Sequence, residues 1–332
     1  MPADQTQISP TPPPYQHITV IGTGLIGGSL LLAMRQQWPT DTGVWLQAID
    51  PNPSALQQWL AWDAVDSVSR ELPKQWADNH LIVLACHLPQ ALEALQALAA
   101  LVKGRDITVS DVGSCKLPIV TLGQDLLPGQ FVGGHPLAGK EFSGFSQATS
   151  LLYHGQPFLF CPSRTADEPC PEALTPHLNR LKQWAEQGLC SRVGIMPADA
   201  HDHAMAFVSH FPQLYATLLS QVLQRNHPEN LLAYHGGGID GQLRLAASPY
   251  TMWGPVFQFN RDALREVIGQ FRTVLDEADA ALASLPEVTP DALNETQPPL
   301  MASPLAQWFT EANALHQRFH RREMPVDPNA RN

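Results

Sequence analysis

A glycine-rich turn between an apolar strand and a helix constrains this chain more than any other feature. The strand is predicted over 17–21, and Gly22-Thr23-Gly24-Leu25-Ile26-Gly27 follows it directly and opens a helix predicted over 25–37. Glycines at this spacing permit a tight turn and let the backbone approach a pyrophosphate, while the helix N-terminus supplies unpaired N–H groups. The motif predicts a dinucleotide-binding site, with a glycine turn of another α/β fold as the alternative.

Asp50 supports this prediction. It ends the second predicted strand, close to the offset at which an acidic side chain meets the ribose hydroxyls of a dinucleotide. A carboxylate there repels the additional phosphate of NADP, so NAD is the expected cofactor. The alternative is that Asp50 only begins the turn Asp50-Pro51-Asn52-Pro53, which is a good turn sequence by itself.

Along the rest of the chain, predicted strands first alternate with predicted helices, and helices alone then follow. From residue 17 to 111, short apolar runs alternate with helix-length segments, the pattern of parallel βαβ units. Strands are predicted over 17–21, 45–49, 81–85, 107–110, 131–133, 157–161 and 190–195. Helices are predicted over 25–37, 53–62, 89–102, 116–127, 172–187, 198–224 and 262–285. We therefore predict an α/β fold, an N-terminal Rossmann-type doubly wound sheet followed by an all-α C-terminal dimerisation domain.

The predicted boundaries give four segments. They are a disordered leader over 1–16, the dinucleotide-binding domain over 17–196, a helical substrate and dimerisation domain over 197–285, and a Pro-rich tail over 286–332 with a possible helix at 302–321. Apolar residues such as Phe207, Leu214 and Leu218 occupy more than one face of a long helix. A homodimer built on the C-terminal helices is expected to cover them.

Charge and composition narrow the classes of partner. Acidic residues outnumber basic ones 31 to 20, giving a net charge of −11, which is the wrong sign for gripping nucleic acid. The leader has no basic segment followed by an apolar run, and no window approaches a membrane span, so we expect a cytoplasmic protein without a membrane partner. The five cysteines form no CxxC pair, which argues against a zinc finger or a disulfide framework.

Four further segments carry a resemblance to a known family. They are Asp111-Val112-Gly113-Ser114-Cys115-Lys116, the stretch from Gly133 to Glu141, Phe207-Val208-Ser209-His210-Phe211-Pro212, and Gly236–Ala246 followed by Met252-Trp253. In this order they resemble the signature segments of the prephenate/arogenate dehydrogenases of tyrosine biosynthesis. The resemblance covers about residues 17 to 285. It implies NAD-dependent oxidative decarboxylation of a small cyclohexadienol.

The resemblance assigns two catalytic residues. His135 matches the catalytic histidine, and an imidazole that titrates near neutrality suits the acceptance of a hydroxyl proton. The alternative is a loop histidine that caps a turn. Ser114, after a predicted strand at the carboxyl edge of the sheet, matches the serine that binds the substrate hydroxyl and orients His135. Its alternative is a cap of the next helix.

The substrate-binding residues are also assigned by resemblance. Arg244 matches a carboxylate clamp, for which a planar guanidinium is suited, and its alternative is a surface ion pair with Asp240. His210 and Gln213 are expected to share a helix face with His203 and Phe207 that lines the substrate pocket, although His210 also fits a core histidine. Glu141 matches an acidic residue near the pocket mouth, with a solvated helix-start carboxylate as the alternative.

His201-Asp202-His203 invites a metal site, but a helix separates the two histidines by about 200°, so no metal is expected.

Prephenate is therefore the expected substrate, with 4-hydroxyphenylpyruvate as the product. Many relatives that use prephenate carry a histidine where this chain has Gln213, so arogenate, or both substrates, is the alternative. A 3-hydroxyacid dehydrogenase is less favoured, because such enzymes depend on a lysine in the helical domain and residues 198–285 contain none. A non-catalytic NAD-binding regulator would not need Ser114, His135 and Arg244 together.

Overall fold

The computed structural model describes residues 12–139, 144–226, 229, 233–285 and 303–320. Its centre is one eight-stranded sheet in the order β3-β2-β1-β4-β5-β6-β7-β8, in which β6 and β7 are antiparallel and the other neighbouring pairs are parallel. The strands are β1 His17–Ile21, β2 Trp45–Ile49, β3 Ser67–Ser69, β4 His80–Leu84, β5 Ile107–Asp111, β6 Phe131–Pro136, β7 Pro157–Cys161 and β8 Arg192–Ile195. The strand order reverses between β1 and β4, where open α/β sheets bind their ligands.

Helices connect and follow the strands. They are α1 Leu25–Gln37, α2 Pro53–Ala61, α3 Leu88–Val102, α4 Leu117–Leu126, α5 Thr175–Gln183, α6 Ala198–Met205, α7 Phe211–Arg225, α8 Gly237–Leu243, α9 Tyr250–Phe259, α10 Arg261–Ala283 and α11 Pro304–His320. A π turn over Ala206–His210 joins α6 to α7, and another over Trp184–Gly188 follows α5. Contacts divide the chain into two units, Met1–Leu264 and Arg265–Asn332.

Two apolar layers cover the sheet. Successive residues of a strand alternate between the layers: Leu81 and Val83 belong to the cluster that contains Leu30 of α1, and Ile82 belongs to the cluster that contains Leu95 of α3. All five residues of β4 are buried, as expected for a central parallel strand. Each large apolar side chain buried here contributes about 1.5–3 kcal/mol.

The predicted fold class is confirmed, and most of the predicted elements are present. β1, β2, β7 and α1 have the predicted bounds. β6 runs to Pro136 and not to residue 133, because residues 133–136 pair with β7. His135 therefore lies on a strand and not on a loop. β3, with the polar sequence Ser-Val-Ser, gave no apolar signal and was not predicted.

The helical half differs from prediction in detail. The helix predicted over 172–187 is divided into a 3-10 turn at Glu172–Leu174, α5 and the π turn over Trp184–Gly188. α8 and α9 were not predicted. The possible helix at 302–321 is present as α11, whereas the remainder of the predicted tail and residues 1–11 of the predicted leader lie outside the described residues. Among the residues that the structure describes, no helix is both long and apolar enough to cross a membrane.

Candidate active site

The glycine-rich loop forms a cradle at the start of α1. Gly22 has a positive φ of 89°, and a Cβ there would lie 2.8 Å from the carbonyl carbon of Ala85. A Cβ on Gly27 would collide with the backbone oxygen of Gly22. A Cβ on Gly24 would meet nothing within 4 Å, so space is left above the helix N-terminus where a phosphate group can approach. These residues fit a dinucleotide.

Asp50 takes part in the turn after β2, which was its alternative role, and it also contacts the glycine-rich loop. Its Oδ2 accepts hydrogen bonds from the Thr23 amide at 2.7 Å and the Thr23 hydroxyl at 3.0 Å, which ties the end of β2 to the glycine-rich loop. Its Oδ1 accepts the Asn52 amide at 2.8 Å, as in an Asx turn. The carboxylate is half-buried beside the cradle, so it lies where a ribose hydroxyl is expected.

A chain of three side chains ends at His135. The Nδ1 of His135 lies 2.8 Å from the Nε2 of His201, and the Nδ1 of His201 lies 2.8 Å from the Oδ1 of Asp202. His201 is fully buried and His135 is 8% exposed. The chain connects β6 to α6 across 66 residues of sequence.

The acceptor at the end of this chain fixes its protons. A carboxylate only accepts, so the Nδ1 of His201 carries a proton. Burial lowers the pKa of His201 in spite of Asp202, so the ring is neutral and its Nε2 bears a lone pair. That lone pair accepts the Nδ1–H of His135. The Nε2 of His135 is then left as a proton acceptor. Burial lowers the pKa of His135 well below its usual range, and the neighbouring titratable groups of His201, Lys116 and His210 lower it further, because each disfavours a second positive charge.

Asp202 also holds the start of α4. Its two oxygens accept the amides of Lys116 at 2.7 Å and Leu117 at 2.9 Å, where a carboxylate satisfies the unpaired N–H groups and complements the helix dipole. Ser114 therefore does not have the capping role that was its alternative. The Ser114 residue is half-buried in the loop after β5, and within the described residues its hydroxyl makes no hydrogen bond to His135.

The Nδ1 of His210 lies 3.0 Å from the Asn260 amide nitrogen, which also donates to the Asp202 carbonyl at 2.6 Å. Burial lowers the pKa of His210 to about 4. Its Nε2 is buried without a hydrogen-bond partner, as is the Nε1 of Trp253, whose ring lies 6.2 Å from that of His210. Unsatisfied buried polar atoms are rare in folded proteins, and here they indicate a place for a polar ligand.

The predicted common face of four residues is wrong for two of them. His210 and Gln213 are buried, but His203 and Phe207 are exposed and contact each other. The π turn explains the difference, because it places an additional residue in the turn and shifts the phase between α6 and α7. Pro212 has no N–H for the Val208 carbonyl, which favours this widening.

Gln213 has a fixed orientation. Its Nε2 donates to the Leu245 carbonyl at 2.8 Å, and since a carbonyl only accepts, the amide cannot be reversed. Its Oε1 is therefore the end that is left, and it is buried without a partner. The side chain presents a hydrogen-bond acceptor.

Of the remaining predicted residues, the structure describes Arg244 and Asp240 but not Glu141. Arg244 follows α8 on a 3-10 turn and is exposed in the isolated chain. Asp240, its alternative partner, lies 3.6 Å from the Nε2 of His235. Glu141 lies outside the described residues. Among the residues that are described, no group of three or more His, Cys, Asp or Glu could hold a metal ion.

Several site residues were missed from the sequence. His201 and Asp202 were considered only as metal ligands, and Lys116 and Asp111 only as parts of a motif. The available signal was that His201, Asp202 and Met205 recur on one helix face, which makes a buried polar pair on α6 predictable. Nothing in the sequence indicates Asn260.

Comparison with known proteins gives a consistent result. Residues 34–183 match the family model of the prephenate dehydrogenase nucleotide-binding domain, and residues 197–296 match that of the prephenate dehydrogenase dimerization domain. The chain is 29% identical over 276 residues to the prephenate dehydrogenase of Bacillus subtilis, which covers 79% of this chain and 71% of the relative. It is 27% identical over 274 residues to the cyclohexadienyl dehydrogenase of Zymomonas mobilis, covering 81% and 89%.

A solved structure has the same fold. The crystal structure of prephenate dehydrogenase from A. aeolicus, in complex with hydroxyphenyl propionate and NAD+, superposes with a TM-score of 0.74 at 24% identity. The match covers 92% of this chain and 98% of that one. The similarity therefore extends from the sheet into the helical half.

Proposed function

The chain belongs to the prephenate dehydrogenase family, and we propose that it oxidises and decarboxylates prephenate to 4-hydroxyphenylpyruvate with NAD. The observation that carries the proposal is the anchored His135, whose Nδ1 is held by His201 and whose Nε2 is left to accept a proton. His135 lies near the end of β6, which runs parallel to β5, and therefore at the carboxyl edge of the sheet. The glycine-rich loop after β1 lies at the same edge.

The residues divide the chemistry among themselves. His135 accepts the proton of the ring hydroxyl and returns it to the phenolate oxygen once the ring is aromatic. Hydride leaves the carbon that bears the hydroxyl, and the ring carboxylate leaves as carbon dioxide, so atoms and charge balance. Ser114 orients the hydroxyl toward His135, while Arg244, His210 and Glu141 bind the polar groups of the substrate.

The cofactor is held by the first βαβ unit. The loop from Gly22 to Gly27 and the N-terminus of α1 bind the pyrophosphate, and Asp50 meets the ribose hydroxyls and selects against NADP. When bound, NAD supplies the acceptor for the hydride.

The test is NADH formation by the purified protein with prephenate, compared between NAD and NADP. We expect activity with NAD that falls by about 10²- to 10⁴-fold in His135→Asn, the range for loss of a general base. NAD binding, measured by calorimetry, should be the same in both proteins, which separates chemistry from folding. Absence of NADH with prephenate, or an undiminished His135→Asn variant, contradicts the proposal.

Gln213 favours arogenate as a second substrate. Arogenate carries an ammonium group where prephenate carries a ketone, and the buried, unpaired Oε1 of Gln213 can accept a hydrogen bond from the ammonium but not from the ketone. We expect wild-type protein to use both substrates. Gln213→Met, which removes the acceptor at similar length, should lower kcat/KM for arogenate about tenfold relative to prephenate. A wild type inactive on arogenate, or an unchanged ratio, contradicts this role.

A homodimer and a cytoplasmic location complete the proposal. The match to a dimerization domain supports the dimer, as do the exposed apolar side chains of Val208, Leu218 and Val222 along the α6–α7 segment. Sedimentation should give twice the chain mass. The location is supported by the five thiols Cys86, Cys115, Cys161, Cys170 and Cys190, all of which are free, as is usual in a reducing compartment.

A further inference from the structure

A fully buried ion pair adjoins the peptide unit that precedes His135. The Nζ of Lys116 donates to the Oδ2 of Asp111 and, at 2.7 Å, to the carbonyl oxygen of Gly134. The side chains of Lys116 and Asp111 are 0% and 1% exposed. Neither residue has a role in the proton transfer described above. Burying two charges costs desolvation free energy, which must be offset by their mutual attraction and by further hydrogen bonds.

Beyond the point where the β5–β6 ladder stops, the ion pair takes the place of backbone hydrogen bonds from β5. The ladder between β5 and β6 pairs Val109 with Phe131 and Ser110 with Val132, whereas β6 continues to Pro136 along β7. Beyond the ladder, the Gly134 amide donates to the Oδ1 of Asp111 at 3.1 Å and the Gly134 carbonyl accepts from Lys116. Both backbone polar groups of the residue before His135 are thus bound by the ion pair.

Close approach of the backbone makes this possible. A Cβ on Gly134 would lie 2.5 Å from the Asp111 carbonyl oxygen, and a Cβ on Gly133 would lie 2.5 Å from the Val120 side chain. Asp111 is held in turn, because its Oδ2 also accepts the Gly113 amide at 2.8 Å. The geometry leaves the Gly134 peptide, and with it the backbone of His135, little freedom to rotate.

The titratable groups around His135 come from three places in the fold. His201 and Asp202 face it from α6, His210 from the π turn, and Lys116 with Asp111 from the segment between β5 and α4. Of these, His201, Lys116 and His210 act together with burial to lower the pKa of His135. Lys116 thus opposes a second positive charge in the same dry region.

We propose that Lys116 is a positioning residue for proton transfer at His135. With Asp111 it fixes the Gly134 peptide so that the imidazole stays in place on the diverging strand. Its ammonium group adds to the effect of burial in disfavouring a protonated imidazole. The proposal rests on the proposed function in that His135 is taken as the base.

The first measurement is the pH dependence of kcat/KM for prephenate with NAD. Lys116→Met removes the charge at similar length, and Lys116→Arg keeps it as the matched control. Because Lys116→Met leaves Asp111 buried without its partner, the double variant Asp111→Asn/Lys116→Met is made as well. Lys116→Met and Asp111→Asn/Lys116→Met both lack the ammonium group. In both, we expect the acid limb of the kcat/KM profile to move to higher pH by about one unit and kcat to fall about tenfold. Lys116→Arg should keep the acid limb in place.

The second measurement does not depend on activity. The imidazole carbon of His135 is titrated by NMR in histidine-labelled protein without substrate, with its signal assigned from His135→Gln. We expect a higher pKa of His135 in Asp111→Asn/Lys116→Met than in wild type and Lys116→Arg. An equal pKa in all three folded proteins overturns the proposal, as does a uniform loss of kcat/KM with the acid limb unmoved. A wild type inactive on prephenate that still shows the NMR difference would instead contradict the proposed function.

Discussion

At the scale of single residues, the site depends on which atom of each side chain is already used. The Nδ1 of His135 is bound by His201, and the Nε2 of Gln213 is bound by Leu245, so each side chain presents one defined atom. Which atom of a side chain is left for the ligand cannot be predicted from residue types. His135 was identified from its motif, but its tautomer follows from Asp202, which is 67 residues away.

The role of His201 can be tested through its acceptor atom. His201→Leu removes the acceptor for the Nδ1–H of His135, so the ring loses its fixed tautomer, and we expect kcat to fall about 10- to 100-fold with a smaller effect on KM. In His201→Gln an amide oxygen can still accept that hydrogen, so part of the lost activity should return. Steady-state kinetics of NADH formation measure both.

A merely structural role of His201 would give another result. In that case Leu and Gln variants of equal thermal stability would lose activity equally. The comparison therefore requires the thermal unfolding midpoint of each variant beside its kcat.

At the scale of elements, helices and strands with a strong local signal were predictable and the transitions between them were not. β4 reads as a continuous apolar run because both of its faces are buried. The π turn before α7 could have been suspected from Pro212, but its effect on the phase between His203 and His210 could not. β3 forms because it adds to an edge that β2 provides, a tertiary effect that a three-residue polar segment does not announce.

The glycines at the start of α1 have separable roles. Gly27→Ala would drive a methyl group into the Gly22 backbone oxygen, so we expect a loss of about 1–3 kcal/mol in the free energy of unfolding together with loss of NAD binding. Gly24→Ala meets no protein atom within 4 Å and has an allowed φ of −67°, so its stability should change by less than about 1 kcal/mol. Its methyl group should nevertheless weaken NAD binding, because it occupies the space left for the pyrophosphate.

Urea unfolding and calorimetric titration with NAD distinguish the two variants. Equal effects of both substitutions on stability would contradict the assignment of Gly24 to the ligand and Gly27 to the fold.

At the scale of the whole molecule, the candidate site is assembled by contacts that are distant in sequence. Asp202 joins α6 to the start of α4, and Asn260 joins the segment after α9 to both Asp202 and His210. The alternation of strands and helices predicts the sheet, and with it the edge that carries Ser114 and His135. It does not predict that α6 packs against that edge, because no local pattern encodes a pairing of this kind.

The same burial of neutral histidines makes stability depend on pH. Burial lowers the pKa of His80 to about 4, with a smaller effect from His17, and burial lowers that of His210 to about 4. In the unfolded chain these rings titrate near 6.5. Between those values the unfolded state binds protons that the folded state does not, so the stabilisation is complete above about pH 6.5 and is lost as the pH falls toward 4.

The expected loss for each such ring is about 2 kcal/mol between pH 8 and pH 5. His80 is the cleaner site to test, because its Nε2 lies 2.9 Å from the hydroxyl of Thr19 on β1, in the sheet and away from the His135 chain. We expect His80→Gln to lose less stability than wild type over this pH change, by about that amount, whatever its stability at pH 8. Urea unfolding at both pH values and equal ionic strength measures the difference. Parallel losses in the two proteins would mean that His80 binds its proton equally in the folded and unfolded states, which its burial against Thr19 and Trp76 argues against.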